Sequence, residues 1–210
     1  MPEMNIQSVI LIRIPNVNLD IRQSTELLQP HVDRKRFRMH LCHGVDAQET
    51  YVYLTDPALA VSAETAADDA SADIDLNALT ANVIGQYPDA SIDQFQITLD
   101  LQGAAQGQSP EWHYVVETDV NDSAEDDFNQ WYIQEHMPGL AAVPGTVRTM
   151  RLFNRDAAPR YHALYLLQTK ETFGSAPWLA VRATDWSSRV RPNFKNTKRT
   201  MFKIIAEGIQ

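Results

Sequence analysis

The chain has 210 residues, is 44% apolar, and carries 27 acidic against 18 basic side chains, for a formal net charge of −9. That apolar content is enough for a packed core and excludes disorder of the whole chain, while the acidic balance excludes a surface built to follow a phosphate backbone. No apolar run approaches the roughly 18 residues of a membrane span, and the single Cys42 has no partner for an internal disulfide.

Met1-Pro-Glu-Met shows no basic, apolar leader, so the expectation is a cytoplasmic, bacterial-type protein with neither nucleic acid nor membrane as partner. Ser8-Val-Ile-Leu-Ile-Arg-Ile14 is a β-rich apolar run ended by Pro15, the pattern of a buried central strand. Leu19–Gln29 has a helical pattern stopped by Pro30, with Ile21, Leu27 and Leu28 as core contacts and Asp20 or Ser24 as cap. Phe37–Cys42 alternates, sending Phe37, Met39 and Leu41 to one face, and Thr50–Leu54 follows within reach of a hairpin.

Ala60–Asp75 is Ala, Ser and acid with almost no large apolar residue, which buries too little to offset ordering entropy; a mobile loop or a solvated acidic helix is expected. Leu76–Ile84 places apolar residues at 76, 79, 83 and 84, a one-sided helix closed by Gly85 or Pro88, and Phe95–Leu101 alternates as a strand. The first half thus orders its elements as βαββαβ, the ferredoxin-like unit. Gln102–Pro110 is small, polar and Gly-rich, as a linker is.

Trp112–Thr118 is the next predicted strand, and Asp122 or Ser123 caps a helix carrying Phe128, Trp131 and Tyr132 at i, i+3 and i+4, on or near one face. Glu135 and His136 come one turn later, where Pro138-Gly139 is expected to end the helix. Pro144-Gly145 opens the strand Val147–Phe153, Tyr161–Gln168 returns from a turn at Asn154–Arg160, Thr172–Trp186 is helical, and Thr200–Ile205 is the last strand. The βαββαβ order repeats at a spacing of roughly 105 residues, as an internal duplication leaves it. The expected fold is therefore α+β: two ferredoxin-like units, 1–104 and 110–210, with antiparallel sheets packed face to face as an α/β barrel. A few large side chains at about 1.5–3 kcal/mol each suffice to hold such halves together.

Trp131-Tyr132, Glu135-His136, Val143-Pro-Gly145, Arg148 and Arg151, then Tyr161-His-Ala-Leu-Tyr165 and Ser175-Ala-Pro-Trp178, resemble the ferredoxin-like dimeric α/β-barrel superfamily. Within it, the match is to the EthD-like group of small bacterial proteins, over Trp112–Ile209. The resemblance implies an apolar sheet face buried by pairing two sheets, usually between two chains, which makes a homodimer an expected partner beside closure within one chain. The superfamily hosts aromatases, cofactor-independent monooxygenases, lactone isomerases and haem enzymes, so it points to a fold more than to one activity.

His136 stands where an imidazole can face a cavity and exchange protons near neutral pH, or can cap a helix carboxyl end. Glu135 either orients it or points to solvent. Trp131 and Tyr132 serve as core or as pocket wall. Arg148 and Arg151 lie on opposite strand faces, so at most one turns inward to anchor an anionic or carbonyl oxygen. Tyr161 and Tyr165 likewise differ in parity from His162, so β-pairing offers the cavity either the tyrosines or the histidine. Trp178 and Trp186 pack the second helix, Trp178 with access to a ligand. Basic residues cluster over Arg182–Arg199, which a ligand carboxylate or a solvated surface explains. His40, Cys42 and His43 are metal-ligand types, but no carboxylate or further His stands at ligand spacing, and no metal is expected. No phosphate-loop, nucleophile-elbow or zinc-protease motif occurs.

Two functions remain open at this point. One is a cofactor-independent enzyme of cyclase, isomerase or monooxygenase type, in which His136 moves a proton on a small aromatic, polyketide-like or lactone compound. The other is a non-catalytic ligand- or haem-binding protein using the same cavity, with His136 or His162 as axial ligand.

Overall fold

A computed structural model of the chain describes residues 8–32, 37–55 and 74–209. Most of the predicted Ala60–Asp75 loop lies outside the described residues. Among the described residues, eight strands and six α-helices follow one another, and the strands pair antiparallel within each unit, the α+β class expected from the element order. The chain folds as two compact units, Met1–Gln96 with Ile204–Gln210, and Ile97–Lys203.

The first unit contains β1 (Ser8–Pro15), α1 (Ile21–Leu28), β2 (Arg38–Gly44), β3 (Glu49–Thr55), α2 (Leu76–Gln86) and the start of β4 (Ser91–Gln102). β1 pairs antiparallel with both β3 and β4, and β2 pairs with β3, so the apolar Ile10, Ile12 and Ile14 sit at the centre of the sheet. α1 begins at a capping box: Asp20 accepts from the Gln23 amide at 2.7 Å, and the Gln23 side chain accepts from the Asp20 amide at 2.9 Å. Asp20, not Ser24, is the cap; Ser24 is buried. Leu27, Leu28, Leu79 and Val83 of the two helices pack on Ile12, Ile14, Leu41 and Val52 of the sheet as one apolar core.

The second unit takes the same order: β5 (Trp112–Val120), α3 (Glu125–Trp131), α4 (Met137–Ala141), β6 (Thr146–Phe153), β7 (Tyr161–Leu167), α5 (Ala176–Val181), α6 (Asp185–Val190) and most of β8 (Phe194–Ile209). β5 pairs with β7 and β8, and β7 with β6, all antiparallel. Tyr114 and Val116 of β5 and Tyr161, Ala163, Tyr165 and Leu167 of β7 form the face that the helices cover. His113, Val115 and Glu117, with His162 and Leu164, occupy the other face by the period-two alternation.

Three local expectations change. The helix does not end at Pro138: a π-helical turn, Tyr132–His136, joins α3 to α4, and Pro138 lies in the first turn of α4, where its missing N–H breaks no bond. Neither Asp122 nor Ser123 caps α3; these residues form a 3₁₀ turn, and Glu125, Asp126 and Asp127 answer the helix dipole instead. The predicted helix over Thr172–Trp186 is two short helices, with Ser175 capping α5 and Thr184 capping α6. The Gly-rich stretch after Gln102 is tied down, with Gly103 N donating to Val147 O and Ala105 N to Thr146 O.

Candidate functional site

The second unit encloses a small cavity between its helical layer and the covered face of its sheet. Trp131, Tyr132, His136 and Leu140 line it from the α3–α4 side, Trp178 and Arg182 from α5 and the turn after it, and Arg191, Phe194 and Arg199 from the approach to and body of β8. Tyr114, Val116 and Tyr165 form its floor. Its volume is about 20 Å³, room for one water or one oxygen-sized group.

The π turn aims His136 into this space. An extra residue in a helical turn shifts every following side chain around the axis, and such turns recur where a side chain is redirected. His136 stacks on Trp131 at 4.1 Å between ring centroids, meets Tyr132 edge-on at 5.3 Å, and approaches Tyr165 at 6.5 Å. Glu135 turns the other way. Its Oε1 accepts from Trp131 Nε1 at 3.2 Å and from the Thr184 hydroxyl at 2.6 Å, so one carboxylate oxygen fixes the indole under His136 and ties it to the start of α6. Adjacent helical residues diverging by about 100° place His136 in the cavity and Glu135 outside it.

Three polar atoms in the cavity wall are buried without a hydrogen-bond partner: His136 Nδ1, Tyr165 Oη and Trp178 Nε1. Leaving such a group unsatisfied costs about 1–3 kcal/mol. Clustering of three around one space is the signature of a site that a ligand completes.

The electrostatics are one-sided. Burial first, then Arg182 and Arg191, push the His136 imidazole down to about 3. At neutral pH it is therefore an uncharged hydrogen-bond acceptor or donor, not the group titrating near pH 7 that the sequence suggested. Burial raises the hydroxyls of Tyr132 to about 12 and of Tyr165 well above its ordinary value, so both stay protonated. Burial also raises the Tyr114 hydroxyl, against the opposing pull of Arg182, Arg199 and Arg191.

Of the residues expected at the site, the structure brings Trp131, Tyr132, His136, Tyr165 and Trp178 to the cavity. Arg148 does not reach it, its guanidinium gripping Asp100 with both carboxylate oxygens. Arg151 does turn inward, but into a cage where its guanidinium lies over Phe128, Tyr132 and Tyr161 at 4.9, 4.6 and 4.8 Å and donates to Asn129 Oδ1 at 2.6 Å. Tyr161 closes that cage and donates to Glu125. His162 is fully buried on the opposite sheet face, with Nε2 3.8 Å from Glu117 Oε1. In the first unit, His43 Nε2 bonds Leu19 O at 2.8 Å and His40 packs against Tyr53. Sequence reasoning missed Tyr114, Leu140 and Phe194 as lining residues; the basic run Arg182–Arg199 was the visible trace of the three arginines.

No protein-family model matches the chain, and no curated protein matches it. Solved structures do. A monooxygenase candidate from Fusobacterium nucleatum superposes with a TM-score of 0.60 at 13% identity, over 98% of this chain and 95% of its own. One from Lactobacillus acidophilus gives 0.59 at 9% identity, over 97% of each chain. An anthrone oxidase-like protein gives 0.59 at 13% identity, over 98% of this chain and 94% of its own. The fold is that of the ferredoxin-like α/β-barrel proteins. At these identities the likeness establishes fold and nothing finer. Among the described residues, no helix is long and apolar enough to cross a membrane.

Proposed function

We propose that the second unit is a cofactor-independent enzyme of isomerase or cyclase type, acting on a small aromatic, polyketide-like or lactone compound, in keeping with the EthD-like resemblance of its motifs. One observation carries this reading: His136 Nδ1, Tyr165 Oη and Trp178 Nε1 are unpartnered and converge on one aromatic-walled cavity. One proton acceptor and two donors around an oxygen-sized space match the hydroxyl–carbonyl edge of such a compound. The reacting edge enters, and the rest of the molecule lies toward the half-buried arginines.

The chemistry follows from the charges. His136, neutral at physiological pH, accepts a proton from an acidic C–H or O–H. Tyr165 and Trp178 donate to the oxygen on which negative charge then develops, and Arg182 and Arg191 stabilise that charge across a poorly solvated space. The same arginines weaken His136 as a base, so the arrangement favours compounds whose proton is already acidic, such as a β-dicarbonyl or a hydroxy-aromatic ketone. The anthrone oxidase-like and monooxygenase-type relatives are compatible with substrates of that class. Neither histidine favours a haem: the His136 ring already stacks on Trp131, and His162 is fully buried on the other face.

Proton abstraction can be followed without the native substrate, by the loss of methyl protons of 2′-hydroxyacetophenone into D2O. The wild-type chain should accelerate exchange, and His136→Asn should lose about 10²–10⁴ of that acceleration, the usual range for general acid–base catalysis. Equal rates for the wild type, His136→Asn and buffer would remove the catalytic reading.

A further inference from the structure

Arg182, Arg191 and Arg199 come from three separate positions, the turn after α5, the turn after α6 and the body of β8, yet all three line the one small cavity. Among the described residues none of them has an ion-pair partner, whereas Arg13, Arg22, Arg148, Arg160 and Arg189 each meet a carboxylate. No acidic residue lines the cavity. The nearby acids are engaged elsewhere, Glu135 with Trp131 and Thr184, and Asp127 with Trp186 and Arg189. Like charges brought together repel, and Arg191 feels both its neighbours as well as partial burial. A chain of net charge −9 that keeps three unpaired guanidinium groups at one aromatic pocket has left room there for an anion.

We propose that this site, on the reading of it given above, selects organic carboxylates: the ligand presents its carboxylate to Arg182, Arg191 and Arg199 and its apolar ring to the aromatic wall. Guanidinium groups recognise carboxylates through paired, charge-assisted hydrogen bonds. The apolar part of the wall, Tyr114, Trp178 and Phe194, fits an anion carried on a ring and offers nothing to inorganic phosphate. The unpartnered Trp178 Nε1 and Tyr165 Oη, on side chains each 1% exposed, supply donors deeper in the pocket for a second oxygen on the same molecule.

The groups facing His136 are Arg182 and Arg191 from the turns after α5 and α6, Arg199 from β8, Tyr114 and Tyr165 from β5 and β7, and Tyr132 from its own turn. A bound carboxylate offsets the arginines' field. His136 is then easier to protonate in the complex than in the free protein.

The test compares benzoate with its neutral isostere benzamide by calorimetry on the full chain at pH 7, with inorganic phosphate as a third arm. Benzoate should bind at least about tenfold tighter than benzamide, since one charge-assisted hydrogen bond contributes that much or more. Arg191→Met should remove the difference, and so should Arg199→Gln, an exposed position where a failure to fold is not at issue. Added chloride should weaken benzoate and leave benzamide alone. If benzamide binds as tightly as benzoate, or if the arginine variants weaken both equally, the carboxylate inference fails while the pocket reading stands. If phosphate binds better than benzoate, the site takes inorganic anions and the inference fails. If neither aromatic compound binds at millimolar concentration, both readings fail together.

Discussion

His136 shows how much a site's chemistry depends on burial. An imidazole titrates near 6.5 in water, but this one is pushed down to about 3 by burial and two arginines. Its folded-state pKa lies below its unfolded one, so between pH 6.5 and about 3 the unfolded chain binds the extra proton. The stabilising effect of the neutral ring is complete above pH 6.5 and is lost as pH falls through that window, at a slope of up to about 1.4 kcal/mol per pH unit. Thermal melts of the wild type from pH 7 to 4 should therefore fall more steeply than those of His136→Asn. Parallel melting curves would show that the ring is not shielded as described. Arg151 makes the complementary point: it is a buried cation with no ion-pair partner among the described residues, held by three aromatic faces that contribute about 2 kcal/mol or more when desolvated. It braces Tyr132, and through it the π turn, from beneath the cavity.

The elements explain why those residues meet. The α3–α4 segment must redirect His136 without breaking the helix, and the π turn achieves this before Pro138 starts a fresh helical turn. The chain then reverses at Val143-Pro-Gly145 to enter β6. Gly145 has φ +91°, and a Cβ there would lie 2.3 Å from the Thr172 hydroxyl oxygen, so both the backbone and the neighbour demand glycine. Gly145→Ala should destabilise the chain by about 1–3 kcal/mol, the range for a non-glycine residue forced into such a conformation, with the clash added. Chemical denaturation would register this as a lower midpoint with an unchanged slope. An unchanged midpoint would mean that the loop before β6 relaxes freely. Glu135 links the same segment to Thr184, the cap of α6, so the indole beneath His136 and the helix that leads to Arg191 are placed by one carboxylate.

At the scale of the whole chain, strands and their order were readable because Ser8–Ile14 is a continuous β-rich apolar run, Phe37–Cys42 alternates, and Val147–Phe153 and Tyr161–Leu167 flank the turn at Asn154–Arg160. The length of β8 was not, because its first half, Phe194–Thr200, is mostly polar and largely exposed. Helix ends were hidden where Pro138 looks like a stop and acts as a first-turn residue. Half of the pocket was legible, since Trp131, Tyr132 and His136 share one helical segment. The other half comes from Tyr114 on β5 and from arginines eight or nine positions apart, whose convergence depends on the tertiary fold and leaves no periodicity in the chain. Of the two alternatives left open for β7, the tyrosines take the face under the helices, Tyr165 lining the cavity and Tyr161 packing in the same core, and His162 takes the other face.

The central claim, that this cavity is where a ligand binds, is tested most directly by the indole N–H signals of the four tryptophans in an ¹⁵N-labelled sample titrated with 2′-hydroxyacetophenone and benzoate. Trp178 Nε1 is unpartnered at the cavity and Trp131 stacks on His136, whereas Trp186 is tied to Asp127 and Trp112 lies beside Lys170 and Lys203. The Trp178 and Trp131 signals should move together and saturate while those of Trp112 and Trp186 stay in place. Saturable movement of Trp112 or Trp186 with Trp178 unchanged would place the ligand elsewhere and contradict the account.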